Sequence, residues 1–355
     1  MKDKKAIGID LFSGAGGMSL GAENAGIEVQ VAIEADKSAA ETYVRNHKHT
    51  RMICDDIRNI DANDLQIKTD LPVIVFGGPP CQGFSSSNKR TSNKDNEKNW
   101  LFEEFIRFIR DIKPDWVVLE NVTGLASTEG GFFYNRILEK IDDLGYTNSP
   151  MILTASDYGV PQNRNRLFII ASRENISIRP PEPKKGRKIT VGEALCDLPL
   201  LNNGASKDLL PYRAEANNTY ARKMRGRKTK CTGNLVSRNA EYILERYVYI
   251  GQGENWEAIP EALMSNYKDR SRCHTGVYRR LKSDEPSVVI GNYRKNMLIH
   301  PEQNRGLSVR EAARIQSFPD KFEFCGNLGL QQQQVGNAVP PLLAEAVFKT
   351  VISAT

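Results

Sequence analysis

The stretch Ala6-Ile-Gly-Ile-Asp-Leu-Phe-Ser-Gly-Ala-Gly-Gly17 passes from an apolar, strand-like run into a glycine-rich turn, and a helical pattern follows at Ser19–Ala25. Glycines at such a turn allow tight bending and close approach of a cofactor to the backbone. A dinucleotide-binding turn has the spacing GxGxxG, but its third glycine position holds Ser19 here, and the pattern is FxGxGG instead. The stretch predicts an α/β fold that opens on a cofactor-binding turn, without identifying the cofactor.

The same alternation of strand-like and helical patterns continues to residue 171. Strands are predicted at Ala6–Leu11, Glu28–Glu34, Val73–Phe76, Trp116–Glu120 and Leu167–Ala171. Helical spacing predicts helices at Ser19–Ala25, Lys37–Asn46, Leu101–Ile112 and Phe133–Leu144. Strands that alternate with helices in this way predict a doubly wound, mostly parallel sheet.

Length and composition leave room for a second, smaller domain. The chain has 355 residues, of which 40% are hydrophobic and 26% charged, as in globular proteins. A linker rich in proline and lysine at Arg179–Lys188 predicts a boundary between domains at 1–178 and 179–305, followed by a C-terminal segment at 306–355. Ser308, with Glu311 three residues later, is a predicted helix N-cap.

Net charge, apolar runs and cysteine content indicate which partners and which cellular environment to expect. The net charge of +6 permits a polyanionic partner without requiring one. We expect neither a signal peptide nor a membrane-spanning segment. The six cysteines form no CxxC pair, which is typical of reduced thiols in the cytoplasm, and Cys273-His274 lacks a suitably spaced partner pair, so no metal is predicted.

Unusual polar and glycine-rich sequences follow the predicted strands. In an open α/β sheet, ligands bind beyond the carboxyl ends of the strands, so these sequences are expected to meet at one crevice. They are Asp10–Gly17, Glu34, Gly77–Ser85 and Glu120–Val122.

Three of these side chains have chemistry suited to such a crevice. Glu34 ends a strand where an acid accepts hydrogen bonds from ribose hydroxyls, although a plain surface acid is the alternative. Cys81 lies in a Gly-Pro-Pro-Cys-Gln-Gly loop that would expose its thiol, and a thiolate is a nucleophile. Glu120 ends an apolar strand, where a raised pKa would suit acid chemistry, unless it is simply exposed at the strand end.

The run Gln162-Asn-Arg-Asn-Arg166 leads into the last predicted strand. At strand spacing, Gln162, Arg164 and Arg166 would share one face. A solvated charged edge is the usual explanation for such a run, whereas arginines directed at the crevice would offer forked donors to a carbonyl or phosphate.

Together these motifs resemble the DNA cytosine-5 methyltransferases, and the match runs nearly end to end. The motifs occur in the order and near the spacing of that family: Asp10-Leu-Phe-Ser-Gly-Ala-Gly-Gly17, Gly78-Pro-Pro-Cys-Gln-Gly-Phe-Ser85, Glu120-Asn-Val122, Gln162-x-Arg-x-Arg166, Arg310-Glu-Ala-Ala-Arg-Ile-Gln-Ser-Phe-Pro-Asp320 and Gly336-Asn-Ala-Val-Pro-Pro341. The resemblance implies a Rossmann-like fold dependent on S-adenosylmethionine (SAM), with a smaller, irregular target-recognition domain.

The resemblance also implies a SAM pocket. Phe12 would stack on the adenine, Glu34 would bind the ribose, and Asp56, or else the adjacent Asp55, would reach the adenine amino group. The segment 331–355 would return to complete the catalytic domain. The implied cofactor-binding residues are Phe12, Ser13, Gly14, Gly16, Gly17, Glu34, Asp56, Ile57, Asn337 and Val339.

The implied reaction is methyl transfer from SAM to carbon 5 of a cytosine flipped out of double-stranded DNA. Cys81 would attack carbon 6, Pro80 would lie against the base, and Glu120 and Arg164 would hold its edge. The implied catalytic residues are Cys81, Glu120, Arg164, Arg166, Pro80 and Asn121.

The basic region 179–305 would recognise the DNA site. Its densest run of positive charge has no apolar period, which predicts an exposed loop; from the sequence alone, a loop that contacts DNA and a loop that is only solvated are equal alternatives. The candidate DNA contacts are Ser85, Arg222, Arg225, Arg227, Lys228 and Lys230. We expect a cytoplasmic monomer, with no membrane partner, that is functionally paired with a restriction endonuclease without forming a stable complex.

Three alternatives remain open from the sequence. An RNA cytosine methyltransferase would use the same chemistry, but the long basic insertion shows no obvious RNA-binding module. A nicotinamide oxidoreductase is disfavoured by the missing third glycine and the Pro-Pro-Cys-Gln loop. A catalytically inactive DNA-binding relative is disfavoured because every implied catalytic position is intact.

Overall fold

The computed structural model describes residues 4–80, 100–265, 267, 275–291 and 293–355. The chain divides into two compact units. The first unit comprises Met1–Tyr158, Asn165–Lys184 and Pro341–Thr355, and the second comprises Gly159–Arg164 and Lys185–Pro340. The main division thus falls after Lys184, a few residues beyond the predicted boundary, and the C-terminal segment that joins the first unit begins at Pro341 rather than at residue 331.

A seven-stranded sheet forms the centre of the first unit, in the order β3-β2-β1-β4-β5-β7-β6. Its strands are β1 (Ala6–Leu11), β2 (Ile27–Ile33), β3 (Arg51–Ile53), β4 (Val73–Gly77), β5 (Trp116–Asn121), β6 (Thr147–Thr154) and β7 (Asn165–Ser172). Adjacent strands from β3 to β5 are parallel, whereas β7 is antiparallel to both β5 and β6. The predicted mostly parallel α/β sheet is therefore confirmed.

A two-stranded sheet in the second unit pairs β8 (Leu210–Pro211) with β9 (Lys230–Cys231). The helices of the described residues are α1 (Gly17–Ala25), α2 (Lys37–Asn46), α3 (Phe102–Ile112), α4 (Phe132–Asp143), α5 (Val191–Leu195), α6 (Thr219–Arg225), α7 (Glu241–Val248), α8 (Val309–Ile315), α9 (Leu328–Asn337) and α10 (Pro341–Ala354). The predicted N-cap of α8 is present, because Ser308 and Glu311 form a reciprocal capping box.

Both faces of the main sheet are covered, as its nearly continuous apolar strands require. On one face, alternate strand residues such as Ile9, Val75 and Val117 form a buried core with the apolar sides of α3 and α4. On the other face, α10 packs against α1 so closely that a side chain at Gly21 would meet Ala344. The C-terminal helix is therefore an integral layer of the first unit.

The stretch Leu328–Ala354 is apolar and long enough, by length and composition alone, to cross a membrane. It consists of two helices, because Ala338 has an extended backbone (φ −60°, ψ 146°) between α9 and α10. Of its most apolar window, 61% is buried within the protein. Burial of this kind is the usual property of core helices.

The basic run at residues 222–230 was predicted to be an exposed loop. Its first residues belong to helix α6 (Thr219–Arg225), so the prediction is wrong for that part of the run. Tyr220, Ala221 and Met224 are buried and form an apolar face at helical spacing, which the surrounding positive charges obscure in the sequence. Asn218 caps the helix by accepting a hydrogen bond of 2.8 Å from the Ala221 amide.

Candidate active site

The glycine turn after β1 is joined to the end of β2. The Ser13 amide donates to the Ile33 carbonyl at 3.0 Å, and the Gly14 amide donates to Glu34 Oε2 at 2.7 Å. Glu34 Oε1 also accepts a hydrogen bond of 2.8 Å from the Asp36 amide. Burial raises the pKa of Glu34, while these amide donors oppose the rise. The structure therefore brings together the turn and the acid that the sequence singled out.

The glycine turn has free space next to Gly14 and a strained backbone conformation at Phe12. Phe12 has a left-handed backbone (φ 60°), which is costly for a non-glycine residue and is typical of functional turns. A side chain at Gly14 would meet no atom within 4 Å. Asp10 Oδ1 and Ser13 Oγ are buried and accept no hydrogen bond from the described residues. The turn thus offers free space beside polar atoms that lack a described partner.

The candidate adenine-binding residues lie at the start of a short helical turn. The Asp56 carboxylate is paired with the Arg58 guanidinium at 2.7 Å, and hydrogen bonds from Arg58 lower its pKa. Asp55 accepts from the Asp56 amide at 2.7 Å and from Asn59 at 3.0 Å. Ile57 is buried in the core of the first unit. Neither carboxylate is excluded, so the choice between Asp55 and Asp56 stays open.

Close packing fixes the loop that leads to Cys81. A side chain at Gly77 would lie 1.8 Å from the Leu11 carbonyl oxygen, and one at Gly78 would lie 2.9 Å from Glu120 Oε2. Asn121 is buried and donates to the Pro79 carbonyl at 3.1 Å. These contacts hold the backbone immediately before Pro80.

Asn121 holds the backbone before Pro80 in place, because its own side chain is fixed at both ends. Its amide nitrogen donates to Pro79, and its side-chain oxygen accepts a hydrogen bond of 2.8 Å from the Val122 amide. The predicted nucleophile, Cys81, and the predicted DNA contact, Ser85, lie outside the described residues.

Glu120 pairs with Arg166, the second arginine of the Gln-x-Arg-x-Arg motif. Glu120 Oε1 lies 2.7 Å from Arg166 Nε, and their side chains are 11% and 12% exposed. Burial lowers the pKa of Arg166, whereas the charge of Glu120 opposes this effect. An acid that remains paired and mostly shielded from water is suited to a proton-transfer or hydrogen-bonding role.

Gln162 and Arg164 do not extend β7, and the predicted common face of the three motif residues is wrong. The Gln162 amide donates to Val160 and the Arg164 amide to Gln162, so these residues form tight turns instead of strand backbone. Both belong to the second unit, where Arg164 Nη2 donates to the Gly336 carbonyl at 3.1 Å. Arg164 thereby contacts the residue preceding the predicted cofactor residue Asn337.

Gln316 is a residue that the sequence did not single out, and it organises the same part of the second unit. It accepts a hydrogen bond of 2.8 Å from Gln162 and donates to the Val335 and Ala338 carbonyls. These contacts connect the motif on α8 with the end of α9, next to Val339. In the sequence, its place within the Arg310–Asp320 motif was the only signal for it, and the structure shows that its side chain is buried.

The candidate DNA-binding cations separate into two groups. The Arg225 guanidinium stacks over the Tyr212 ring at 4.1 Å, lies 3.7 Å from Asp197 and donates to the Lys228 carbonyl. Its side chain is only 14% exposed, so it acts within the second unit. The remaining candidates lie at or near the surface: Arg222, Arg227, Lys228 and Lys230.

Fold and site define an α/β enzyme whose cofactor turn and polar residues meet at the carboxyl edge of one sheet. The family model for C-5 cytosine-specific DNA methylases matches residues 7–353, and the chain belongs to this family. It is therefore a SAM-dependent DNA (cytosine-5-)-methyltransferase, as its motifs predict.

Similar proteins support this membership along nearly the whole chain. Type II methyltransferase M1.HphI of Haemophilus parahaemolyticus is 38% identical and covers 97% of this chain and 86% of its own length. Type II methyltransferase M.DdeI of Desulfomicrobium norvegicum is 33% identical, with 97% and 88% covered. A solved structure described as a DNA modification methyltransferase encoded within an E. coli prophage has a TM-score of 0.80, with 27% identity and 98% and 99% covered.

Proposed function

We propose that this enzyme binds SAM at the glycine turn, flips a cytosine out of a specific double-stranded DNA site, and methylates carbon 5 through a covalent adduct of Cys81. The observation that carries the proposal is the pairing of Glu120 with Arg166 beside the Gly78–Pro80 backbone. An acid, an arginine and the start of the nucleophile loop thereby share the sheet edge that also holds the cofactor turn.

The residues at the turn suit SAM in shape and charge. SAM supplies an electrophilic methyl group on a positively charged sulfonium. Glu34 provides an acidic group in contact with the Gly14 amide, beside the open space at Gly14. Asp10 Oδ1 and Ser13 Oγ are further polar atoms of this segment that lack a described partner. We assign Phe12, Gly16 and Gly17 to the same pocket, and Ile57, Asn337 and Val339 stay assigned to it by resemblance.

The chemical step needs a nucleophile because carbon 5 of cytosine reacts poorly with a sulfonium methyl group. In the proposed step, the Cys81 thiolate forms a bond to carbon 6, and Glu120 donates a proton or hydrogen bond to ring nitrogen 3. Carbon 5 then has enamine character and takes the methyl group, while the methyl–sulfur bond of the sulfonium breaks and leaves a neutral thioether. A base afterwards removes the carbon 5 proton, the bond between Cys81 Sγ and carbon 6 breaks to release the thiolate, and ring nitrogen 3 returns its proton to Glu120.

Arg166 is the better candidate than Arg164 for stabilising the ring carbonyl oxygen. It is the arginine in contact with Glu120, and its forked donors suit a developing oxyanion. Arg164 is occupied in part by the Gly336 carbonyl, which favours a positioning role in the second unit.

The adduct provides the direct test of the proposal. Duplex DNA with 5-fluorocytosine at the target should trap a covalent complex, because fluorine cannot leave as a proton does. Cys81→Ser should abolish trapping and methylation while SAM still binds. An adduct that maps to another cysteine, or turnover by Cys81→Ser, would exclude the assignment. Equal activity on tRNA would favour the RNA alternative.

We further propose that residues 179–305 select the DNA site, with Arg222, Arg227, Lys228 and Lys230 contacting phosphate. We also propose that the enzyme acts in the cytoplasm as a monomer and is paired functionally with a restriction endonuclease; the type II names of the relatives support only the pairing. Exchanging this segment for that of a relative with another specificity, followed by bisulfite sequencing, tests the assignment. An active chimera that retains the original site would contradict it.

A further inference from the structure

A buried chain of hydroxyl groups lies behind the glycine turn, within the first unit. The Ser19 hydroxyl donates to Asp10 Oδ2 at 2.6 Å, and the Tyr43 hydroxyl lies 2.6 Å from the same Ser19 oxygen. Asp10 and Ser19 are wholly buried, as is Tyr43. None of these contacts is needed for the chemistry proposed above, and each costs desolvation of a polar group.

The direction of the hydrogen bonds follows from the number of available protons. Because the Ser19 proton is directed to the Asp10 carboxylate, the Tyr43 hydroxyl must donate to Ser19. Burial raises the pKa of Asp10 well above its usual range and the charges of Glu34 and Glu23 add to the rise, whereas the Ser19 hydrogen bond opposes it. The hydroxyl chain therefore fixes one carboxyl oxygen of Asp10 in place, and the other oxygen has no partner among the described residues.

The aromatic rings at the end of α2 support the turn itself. The rings of Tyr43 and His47 are 4.3 Å apart, and His47 Nδ1 lies 2.8 Å from Glu23 Oε1. Gly16 has φ 93°, and a side chain there would lie 2.3 Å from His47 Nε2 and 2.9 Å from the Tyr43 ring. The turn backbone thus rests directly on both rings.

We propose that Tyr43 and Ser19 are positioning residues that set the affinity for SAM, by fixing the orientation of the Asp10 carboxyl group and holding the glycine turn in its binding conformation. The ligand class is a cationic, amine-bearing sulfonium compound. This inference rests on the proposed SAM site. It assigns a function to α2 that no motif of the sequence indicates.

The test compares two tyrosine hydroxyls in the same unit. Tyr43→Phe removes the hydroxyl and keeps the ring. Tyr146→Phe is the matched control, because Tyr146 is also buried (5% exposed, against 0% for Tyr43) and donates to the Pro114 carbonyl at 2.7 Å, at the amino edge of the sheet. Ser19→Ala removes the direct donor to Asp10.

We expect the dissociation constant of SAM, measured by calorimetry, to rise about two- to tenfold in Tyr43→Phe and more in Ser19→Ala, and to stay unchanged in Tyr146→Phe. The KM for SAM should rise in parallel, while the KM for DNA and kcat at saturating SAM remain at wild-type values. A hydroxyl group that only stabilised the fold would not raise the KM for SAM while leaving kcat and the KM for DNA unchanged.

Equal SAM affinity in Tyr43→Phe and Tyr146→Phe would overturn the inference, as would a loss of kcat with an unchanged KM for SAM. Wild-type protein that fails to bind SAM would instead refute the proposed function. The two failures are therefore distinguishable in one set of titrations.

Discussion

The Glu120–Arg166 pair makes a prediction that separates stability from catalysis. Both side chains are about nine-tenths buried and are joined at 2.7 Å, so removing either partner leaves the other charge or donor poorly solvated. We expect Glu120→Gln and Arg166→Gln each to lower the free energy of unfolding by about 1–3 kcal/mol. The double variant has no uncompensated charge and should recover most of that loss.

Activity should not follow the same pattern. Glu120→Gln removes the acid and should reduce the rate of methylation by about 10²–10⁴-fold. Arg166→Gln removes the donor to the ring carbonyl oxygen and should reduce the rate by about 10²–10³-fold. The double variant should remain at or below the slower single variant, because restored stability does not restore either group. Urea denaturation gives the coupling energy, and single-turnover methyl transfer gives the rate.

A more exposed ion pair in the same unit provides the control. Lys140 on α4 lies 2.8 Å from Glu103 on α3, with side chains 25% and 33% exposed. The cycle of Glu103→Gln and Lys140→Gln should give a coupling energy below about 1 kcal/mol and wild-type activity. Recovery of methylation in the Glu120/Arg166 double variant, or wild-type stability in Glu120→Gln, would refute the reasoning.

Three further outcomes follow from other contacts. Arg225→Gln should lower the urea midpoint, whereas Arg227→Gln should keep it and reduce the salt slope of DNA binding by roughly one unit; equal slopes would contradict this. Gly78→Ala should displace the Glu120 carboxylate, and titration should show retained SAM affinity despite slow methylation. Burial lowers the pKa of His300 from 6.5 to about 4. Because only the unfolded state binds its proton in that window, stability should rise by about 3 kcal/mol from pH 4 to 6.5, and His300→Gln should flatten that rise.

Most of the sheet was predictable because each parallel strand is a continuous apolar run. Two edge strands were missed for different reasons. β3 has only three residues, which is too short for a period to be detected. β6 contains Pro150, which argues against a strand in the interior of a sheet but is tolerated here because β6 pairs only with β7.

The carboxyl-edge argument predicted which segments meet, because strand register is a property of the whole sheet. Leu11 is aligned with Ile33 and Gly77, and Gly77 with Leu119, so the loops after these strands leave the sheet together. The contacts of single side chains were less predictable. Arg225 carries the same charge as its neighbours, and only tertiary contact with Tyr212, thirteen residues earlier in the chain, turns it inward.

The reversed direction of β7 explains why Arg166, and not Arg164, contacts Glu120. In the antiparallel ladder, Glu120 is opposite Phe168, which makes Arg166 the diagonal neighbour two residues away on the same side. A parallel strand would have carried this segment to the opposite edge of the sheet. The sequence contains both arginines at equal spacing, so the choice depends on strand direction. The reversed direction places Arg166, at the start of β7, beside Glu120 near the carboxyl end of β5.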